Sequence, residues 1–400
     1  MAERSNETAL AIALQPTPDV FPSFTADDRM PISALRPTVE GVTIQNDEYT
    51  GSVIKNAETI AGKRASMTFN VKIRPPGGSD VPLANAYLPG RLLQAAKFTE
   101  VRTAAEVPVG GAEALSAGTT TGATLGTGAA ATAGLYKGMA IQLKARGASF
   151  RDQLSAIRSY DAAKVMELVE TLSGALSGDY LIPKQLSYMR STAAGEPARL
   201  AFQTWFGGDR WDWINCGITS LVMPVPVSTK QQAQYPEWQV TIEGDIYASA
   251  TEASPAIPAL GAIPLFKDGR QWLAHKAVGG SQFSIDLGIE SEAPPNPNQP
   301  SGSEAPVLAG STARVSINKQ RYKKSVQDIM ALADAQANHP FFAQWGLASG
   351  NIVQVVVPDG RFNYPSPDLG GLTVTETVDL MIDAVDRSVC INFPYGAALT

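Results

Sequence analysis

The sequence predicts a mainly β protein with flanking helices, arranged as two tandem β-sandwich or barrel domains. Three observations carry this expectation. RASMTFNVKIR alternates Met67, Phe69, Val71 and Ile73 with Thr68, Asn70, Lys72 and Arg74, the period-two pattern of a strand with one buried and one wet face. LAFQTWFGGDRWDWIN sets Gly207-Gly208 between two aromatic-rich runs, and glycine adopts the positive φ of a tight hairpin turn without strain. Finally, the order of strand, turn and helix signals in the first part of the chain recurs in the second, as an internal duplication would produce.

Residues 1–35 are punctuated by Pro16, Pro18, Pro22 and Pro31, which oppose a regular helix or central strand, so an extended N-terminal arm is expected. The first domain is set at 36–255. After RASMTFNVKIR, which stops at Pro75-Pro76, PGRLLQAAKF gives a short helix with Leu92, Leu93 and Ala96 at helical spacing behind Pro89. GTTTGATLGTGAAATAG, residues 118–134, is too small-chained to anchor a core and is expected as a loop or projection. A helical insertion is placed around 150–174. Its main element is YDAAKVMELVETLSG, with Asp161 as N-cap and Val165, Leu168, Val169 and Leu172 as one stripe.

Strands then follow in quick order: YLIPKQLSYM, the hairpin, GITSLVMPVPV and WQVTIEGDIY. Closing the hairpin with Phe206 opposite Asp209 puts Thr204 across from Trp211 and Phe202 across from Trp213, with Trp205 on the other face beside Arg210. Phe202, Trp211 and Trp213 thereby form an aromatic core for the first domain. The competing reading is a platform on which sugars or bases stack.

The second domain is set at 256–400. SQFSIDLGIESEAPP alternates Phe283, Ile285, Leu287 and Ile289 and ends in Pro294-Pro295, as the earlier strand ended in a proline pair. KKSVQDIMALADAQ supplies an amphipathic helix through Val326, Ile329, Met330 and Leu332. IVQVVVP and LTVTETVDLMID complete the order. Val374, Thr375, Asp379 and Leu380 align with Val240, Thr241, Asp245 and Ile246, and Ser281 to Ile289 is set equivalent to Lys63 to Arg74.

At 400 residues, 44% hydrophobic and 18% charged, the chain has ample material for a folded core and a rather apolar surface suited to intersubunit contact. A formal charge of -6 opposes non-specific adhesion to nucleic acid, which needs clustered cations. Cys216 and Cys390 stand singly in strand-like runs and are expected as buried small hydrophobes in an intracellularly made protein. No window supplies the roughly 18 apolar residues of a membrane span, and the N-terminal apolar stretch is too short for a signal peptide, so no membrane insertion is expected.

His275 and His339 lack Cys or carboxylate neighbours at ligand spacing. There is no phosphate-cradling loop, Gly122, Gly126 and Gly128 lack the dinucleotide fingerprint, and no Gly-x-Ser-x-Gly elbow occurs. Asp27-Asp28 and Glu376/Asp379 pair as acid and base only by assumption. The chain is expected not to be an enzyme, with no cofactor and no metal.

The series GVTIQNDEYTGSVIKNAETIAGKRASMTFNVKIRPPGG, LPGRLLQAAKFTEV, SGDYLIPKQLSYM, the hairpin and WQVTIEGDIY resembles the major tail tube protein of long, non-contractile-tailed bacteriophages. The likeness covers roughly Gly41 to Tyr247, and Gly279 to Phe393 only through the repeat; the order of motifs carries it rather than any one of them. The resemblance implies packed antiparallel sheets, close to a barrel, flanked by a helix. It implies subunits joined edge to edge in rings that stack into a hollow virion tube, assembled in the host cytoplasm. A duplicated member would close a pseudo-sixfold ring from three chains. The implied partners are further copies of the chain, the tape measure protein in the lumen, the tail terminator and distal tail proteins, and DNA in transit without specific binding. The insertion at 118–159 departs from a minimal member. A virion adhesin or carbohydrate-binding sandwich, and a secretion-system tube subunit, remain as alternatives.

Within that expectation, the polar faces of the closing strands supply candidate lumen residues: Glu243, Asp245, Thr375, Asp379 and Asp383. Their carboxylates would keep the lumen negative so that DNA slides without sticking. A plain solvated outer face is the competing reading for each.

Overall fold

A computed structural model describes residues 8–45, 57–144, 146–230, 232–258, 261–267, 269–298, 302–370, 373–396 and 399. The protein is mainly β, 49% strand against 6% helix, as the alternation patterns predict. In chain order the principal elements are β1 (Ala9–Gln15), β2 (Ser33–Ile44), β3 (Thr59–Lys72), α1 (Leu88–Ala95), β4 (Phe98–Thr103) and β5 (Gln185–Arg190). The hairpin follows as β6 (Arg199–Phe206) and β7 (Asp209–Pro226), then β8 (Glu237–Thr251), β9 (Arg270–Leu273), β10 (Gly280–Asp286) and β11 (Arg314–Gln320). The chain closes through α2 (Ile329–Ala335), β12 (His339–Trp345), β13 (Val353–Phe362), β14 (Thr375–Met381) and β15 (Cys390–Pro394).

These elements make three layers. In the first sheet β1, β6, β7, β8, β3 and β2 pair antiparallel in that order, while the last five residues of β7 pair with β10, which leads on to β11 and β14. The middle sheet runs β4, β5, β15, β13, β12, β9. Phe69, Phe202, Trp213, Ile242, Phe283, Ile317 and Val378 from the first sheet and Leu186, Phe341, Trp345, Val355, Ile391 and Phe393 from the middle one form a single core. This core takes residues from both sides of the boundary expected at 255/256, so the two halves do not fill separate cores.

The middle sheet is buried on both faces, which explains why β5 and β15 are buried throughout. Its outer face carries Met189, Phe342, Val356 and Cys390 against Ile141, Leu143, Ile157 and Leu168 of a seven-stranded third sheet built from residues 113–181. Between these hydrophobes lie buried amides bonded to third-sheet backbone. Gln185 exchanges bonds with Ala140, Asn392 Nδ2 donates to the Gly138 carbonyl at 2.7 Å, and Gln344 Nε2 donates to that of Arg151 at 2.9 Å.

Elsewhere the chain departs from the local sequence pattern. The predicted helix 161–174 is a hairpin: Leu154–Tyr160 pairs with Val165–Leu168, Lys164 takes a left-handed φ of 65°, and Asp161 Oδ1 accepts from Val165 N–H at 2.8 Å. Asp161 thus caps a turn, and the only helix near this insertion is the turn Phe150–Gln153. Residues 118–134 are not a projection. Gly122–Thr124 pairs with Val165–Leu168, and Ala123, Leu125 and Ala129 are buried. Small residues suit the site, since a Cβ on Gly126 would lie 2.3 Å from the Glu113 carboxyl carbon. The N-terminal arm contains β1, a buried strand in register with β6 from Ala9↔Trp205 to Gln15↔Arg199; the prolines begin only after it ends. In α2 the buried stripe is Ile329 and Ala333, with Asp328 capping by accepting from Ala331 N–H, whereas Val326 and Met330 are exposed.

The hairpin register agrees residue for residue with expectation. Phe202 and Trp213 are fully buried, whereas Trp211 only packs half-buried against the core. Both cysteines are buried and free. Ser281 to Ile289 does not repeat the pairing of Lys63 to Arg74: β3 pairs with β8, whereas the strand that pairs with β14 is β11, and Ser281 to Asp286 in β10 pairs with β7 and β11.

Candidate functional site

The outer face of the first sheet is where period-two alternation places the polar side chains of seven strands. Cross-strand pairing aligns Asn70, Gln239, Val222, Asp286 and Arg314 on it, and Thr68 with Thr241 and Ser220. Ser284, Ser316 and Asp379 form another row, as do Gln282, Asn318 and Thr377. Because β7 pairs with β10, this face continues from the first half of the chain into the second. Glu243 on β8 and Asp379 on β14 therefore share one surface, four strand spacings or about 19 Å apart laterally.

Glu243 is held bidentately by Arg64, Nε to Oε1 at 2.6 Å and Nη2 to Oε2 at 2.8 Å. Arg64 sits diagonally, since Ser66 is the direct cross-strand partner of Glu243. Glu237 is likewise bonded by Lys72, and Asp379 lies 3.9 Å from Arg314. Asp245 is half-buried. Burial raises its pKa above the ordinary carboxylate value, opposed by a hydrogen bond from Asn215 and the charge of Lys63. Thr375, paired with Gln320, stands on the same face. Asp383 lies beyond the end of β14 and pairs with Arg361 at 2.9 Å. The structure thus brings Glu243, Asp245, Thr375 and Asp379 onto one surface and leaves Asp383 outside the alternating strand.

This surface is polar and largely charge-paired, rather than a bare row of carboxylates. Sequence reasoning missed the cations, although Arg64 and Lys72 share the parity of Thr68 and Asn70; only the register shows which carboxylate each meets. Glu376, three positions from Asp379, points the other way, into a buried ion pair with Lys319 at 2.6 Å. The two carboxylates therefore do not face one another as an acid–base pair.

The aromatic cluster faces inward. Trp213 Nε1 donates to Thr204 Oγ1 at 2.9 Å and its ring is wholly buried, so this tryptophan presents no stacking surface. A shallow cleft of about 590 Å³ beside the third sheet is lined by Lys144, Arg146, Glu170 and Trp272, with Arg146 and Glu170 bonded bidentately to each other. Among the described residues no group of three or more His, Cys, Asp or Glu is placed to share a metal ion, and no helix is long and apolar enough to cross a membrane.

At the end of the first sheet, β2 and β3 run on as a ribbon past Ala65. Val39, Val42, Ile44 and Ile60 are exposed there, and among the described residues no strand pairs with the outer side of β2. No protein-family model matches the chain, and comparison with curated proteins gives no match.

Proposed function

We propose that this chain is a structural subunit that assembles with copies of itself into stacked rings, forming the tube of a long, non-contractile phage tail. The observation that carries the reading is the first sheet, which couples one continuous wet face, spanning both halves of the chain, to an unpaired edge ribbon bearing exposed aliphatic side chains. An open strand edge of this kind invites pairing with another chain, and closure into a ring consumes it. The wet face would line the lumen around the tape measure protein and later the passing genome, in a virion particle capped by tail terminator and distal tail proteins.

On that face Arg64 and Lys72 are each bonded by a carboxylate and Arg314 lies 3.9 Å from one, so phosphates passing these positions would meet cations that are already partnered. The recurrence of pairing, β3 with β8 and β11 with β14, with β3 and β11 each preceding a helix, supports two related halves and hence a pseudo-sixfold ring of three chains.

Negative-stain microscopy of the purified protein tests the reading: rings or hollow tubes are expected, and a chain that stays monomeric at every concentration and salt refutes it. The buried Trp213 gives no support to a saccharide-binding adhesin built on the aromatic hairpin.

A further inference from the structure

Arg158, on the third-sheet strand Leu154–Tyr160, reaches across to the middle sheet. Its Nε donates to the Pro358 carbonyl at 3.2 Å, and its Nη2 donates to the Asn338 carbonyl at 2.8 Å and to Asp359 Oδ1 at 3.2 Å. Its Nη1 donates to Glu167 Oε1 at 3.0 Å and lies 3.2 Å from His275 Nε2. Asp359 also accepts from Lys137 Nζ at 3.0 Å.

His275 occupies a two-residue turn after β9 in which both Ala274 and His275 take left-handed φ, 50° and 63°, a conformation that non-glycine residues hold only when their surroundings impose it. The surroundings come from both layers. Ala274 N–H donates to the Pro340 carbonyl at 2.9 Å in the middle sheet, and Thr171 N–H at the end of the third sheet donates to the His275 carbonyl at 3.1 Å. His339, the only other histidine in the chain, begins β12, lies against the Phe362 ring at 5.3 Å, and senses the charge of the same Arg158. His275 thus touches Arg158 directly, and His339 directly follows Asn338, whose carbonyl the same arginine holds, at the seam between two sheets.

We propose that Arg158, His275 and His339 form an acid-sensitive latch that fastens the third sheet to the middle sheet when the imidazoles are neutral and loosens it when they are protonated. A neutral His275 ring accepts from Arg158 through Nε2; a protonated one turns that acceptor into a donor facing a donor, and adds a like charge. His339 Nε2 is buried with no hydrogen-bond partner among the described residues, so a proton added there finds no acceptor, whereas the Leu168 backbone favours a charged His275 but is outweighed by burial and Arg158. The charged groups around the pair are Arg158 and Glu167 from the third sheet, Glu170, which forms a backbone bridge with His275 while Arg146 holds its carboxylate, Lys137 and Asp359, Lys276 beside His275, and Arg361, which donates to Asn338 Oδ1 at 3.4 Å. Glu167, 3.6 Å from His275 Nε2, favours the charged ring but is already engaged by Arg158.

Burial first, and the Arg158 charge second, push both imidazoles below their ordinary value of 6.5. For a base depressed in the closed form the sign is fixed. The latch is at full strength above about pH 6.5 and weakens as pH falls from there toward the lower closed-state values, because the opened form binds the extra protons. Each proton taken up on opening shifts the equilibrium by at most about tenfold per pH unit, so two give about a hundredfold at most.

Hydrogen exchange of the full chain from pH 7.5 to 5.0, corrected for intrinsic rates, reads this directly. Protection in peptides covering 154–168 should fall relative to peptides in β6 and β7, and the H275Q/H339Q variant should hold it constant over the same range. Invariant protection in the unaltered protein, or an equal fall in the variant, overturns the proposal. Should the variant fail to fold, NMR titration of the two imidazoles decides: both must titrate below 6.5, and either one at or above that value refutes the latch.

Discussion

Replacing Trp213 with alanine tests the architecture at its most loaded point. The indole is fully buried, sits opposite Phe202, and lies 6.3 Å from the Trp211 ring. An indole buries roughly 200 Å², which at about 25 cal/mol per Å² gives about 5 kcal/mol as an upper bound. Large-to-small aromatic truncations in cores cost about 3–5 kcal/mol. No polar orphan adds to this, because the Thr204 hydroxyl retains the Trp211 carbonyl as acceptor at 3.3 Å. The expected loss is therefore about 4 kcal/mol. Trp211→Ala, at a half-buried site, should cost about 2 kcal/mol. Trp205→Ala should fall between them. That ring is 2% exposed, but its cluster is small, consisting of Ala9 and Ala11 with Phe24 and Ile257 at its margin. Urea unfolding followed by far-ultraviolet circular dichroism, compared at midpoint with a common slope, measures all three without relying on tryptophan emission. A Trp211→Ala cost equal to that of Trp213→Ala, or a Trp213→Ala cost below about 1 kcal/mol, refutes the burial argument.

Three further outcomes are expected. Lys319→Met leaves Glu376 buried with only Arg321, at 3.7 Å, to answer it; the loss should reach about 3–5 kcal/mol, and adding Glu376→Leu should recover most of it in the same urea assay. Val42→Asp with Ile60→Asp should leave monomer unfolding within about 0.5 kcal/mol of the original, because both side chains are exposed, yet abolish any rings or tubes seen by microscopy; tubes from the variant would remove the ribbon from the assembly contacts. Glu243→Lys with Asp379→Lys breaks two exposed pairs worth at most about 1 kcal/mol each, so assembly should survive. Genome release through such tubes should slow, most at low salt, and unchanged release kinetics would count against a lumenal position.

What could be read from the sequence follows how local the deciding interaction is. The β6–β7 register was legible because Gly207-Gly208 fixes the turn, and every pair then follows by counting. The third sheet was not. Val165, Leu168, Val169 and Leu172 fit a helical stripe, while Met166 and Leu168 fit a strand equally well, and the choice is made by partners at 122–124 and 154–160 that the local pattern does not name. Ala9–Gln15 was obscured by the prolines that follow it. At the candidate site the carboxylates were legible by parity alone, but their cations were not: Arg64 meets Glu243 across a hairpin-to-strand pairing that joins residues 179 apart.

The register bears on how DNA would pass a lumen lined by this face. A lumen kept negative by bare carboxylates would repel DNA and also draw in counterions, and its influence would vanish within a Debye length of about 8 Å at physiological salt. A face on which Arg64 is clamped by Glu243 and Lys72 by Glu237 acts differently. It would offer a passing polyanion neither a strong attractive patch nor a strong repulsive one at these pairs. Under this arrangement passage would depend on whether cations such as Arg64 are freed more than on net charge. Removing the carboxylate of a pair, by Glu243→Gln, should then retard DNA by freeing Arg64, whereas removing the cation, by Arg64→Gln, should not. Release rates measured on the two variants separate the mechanisms. If net negative charge governs passage, Glu243→Gln slows release and Arg64→Gln speeds it by a comparable factor. If free cations govern, only the first moves; equal retardation by both variants refutes either account of the face.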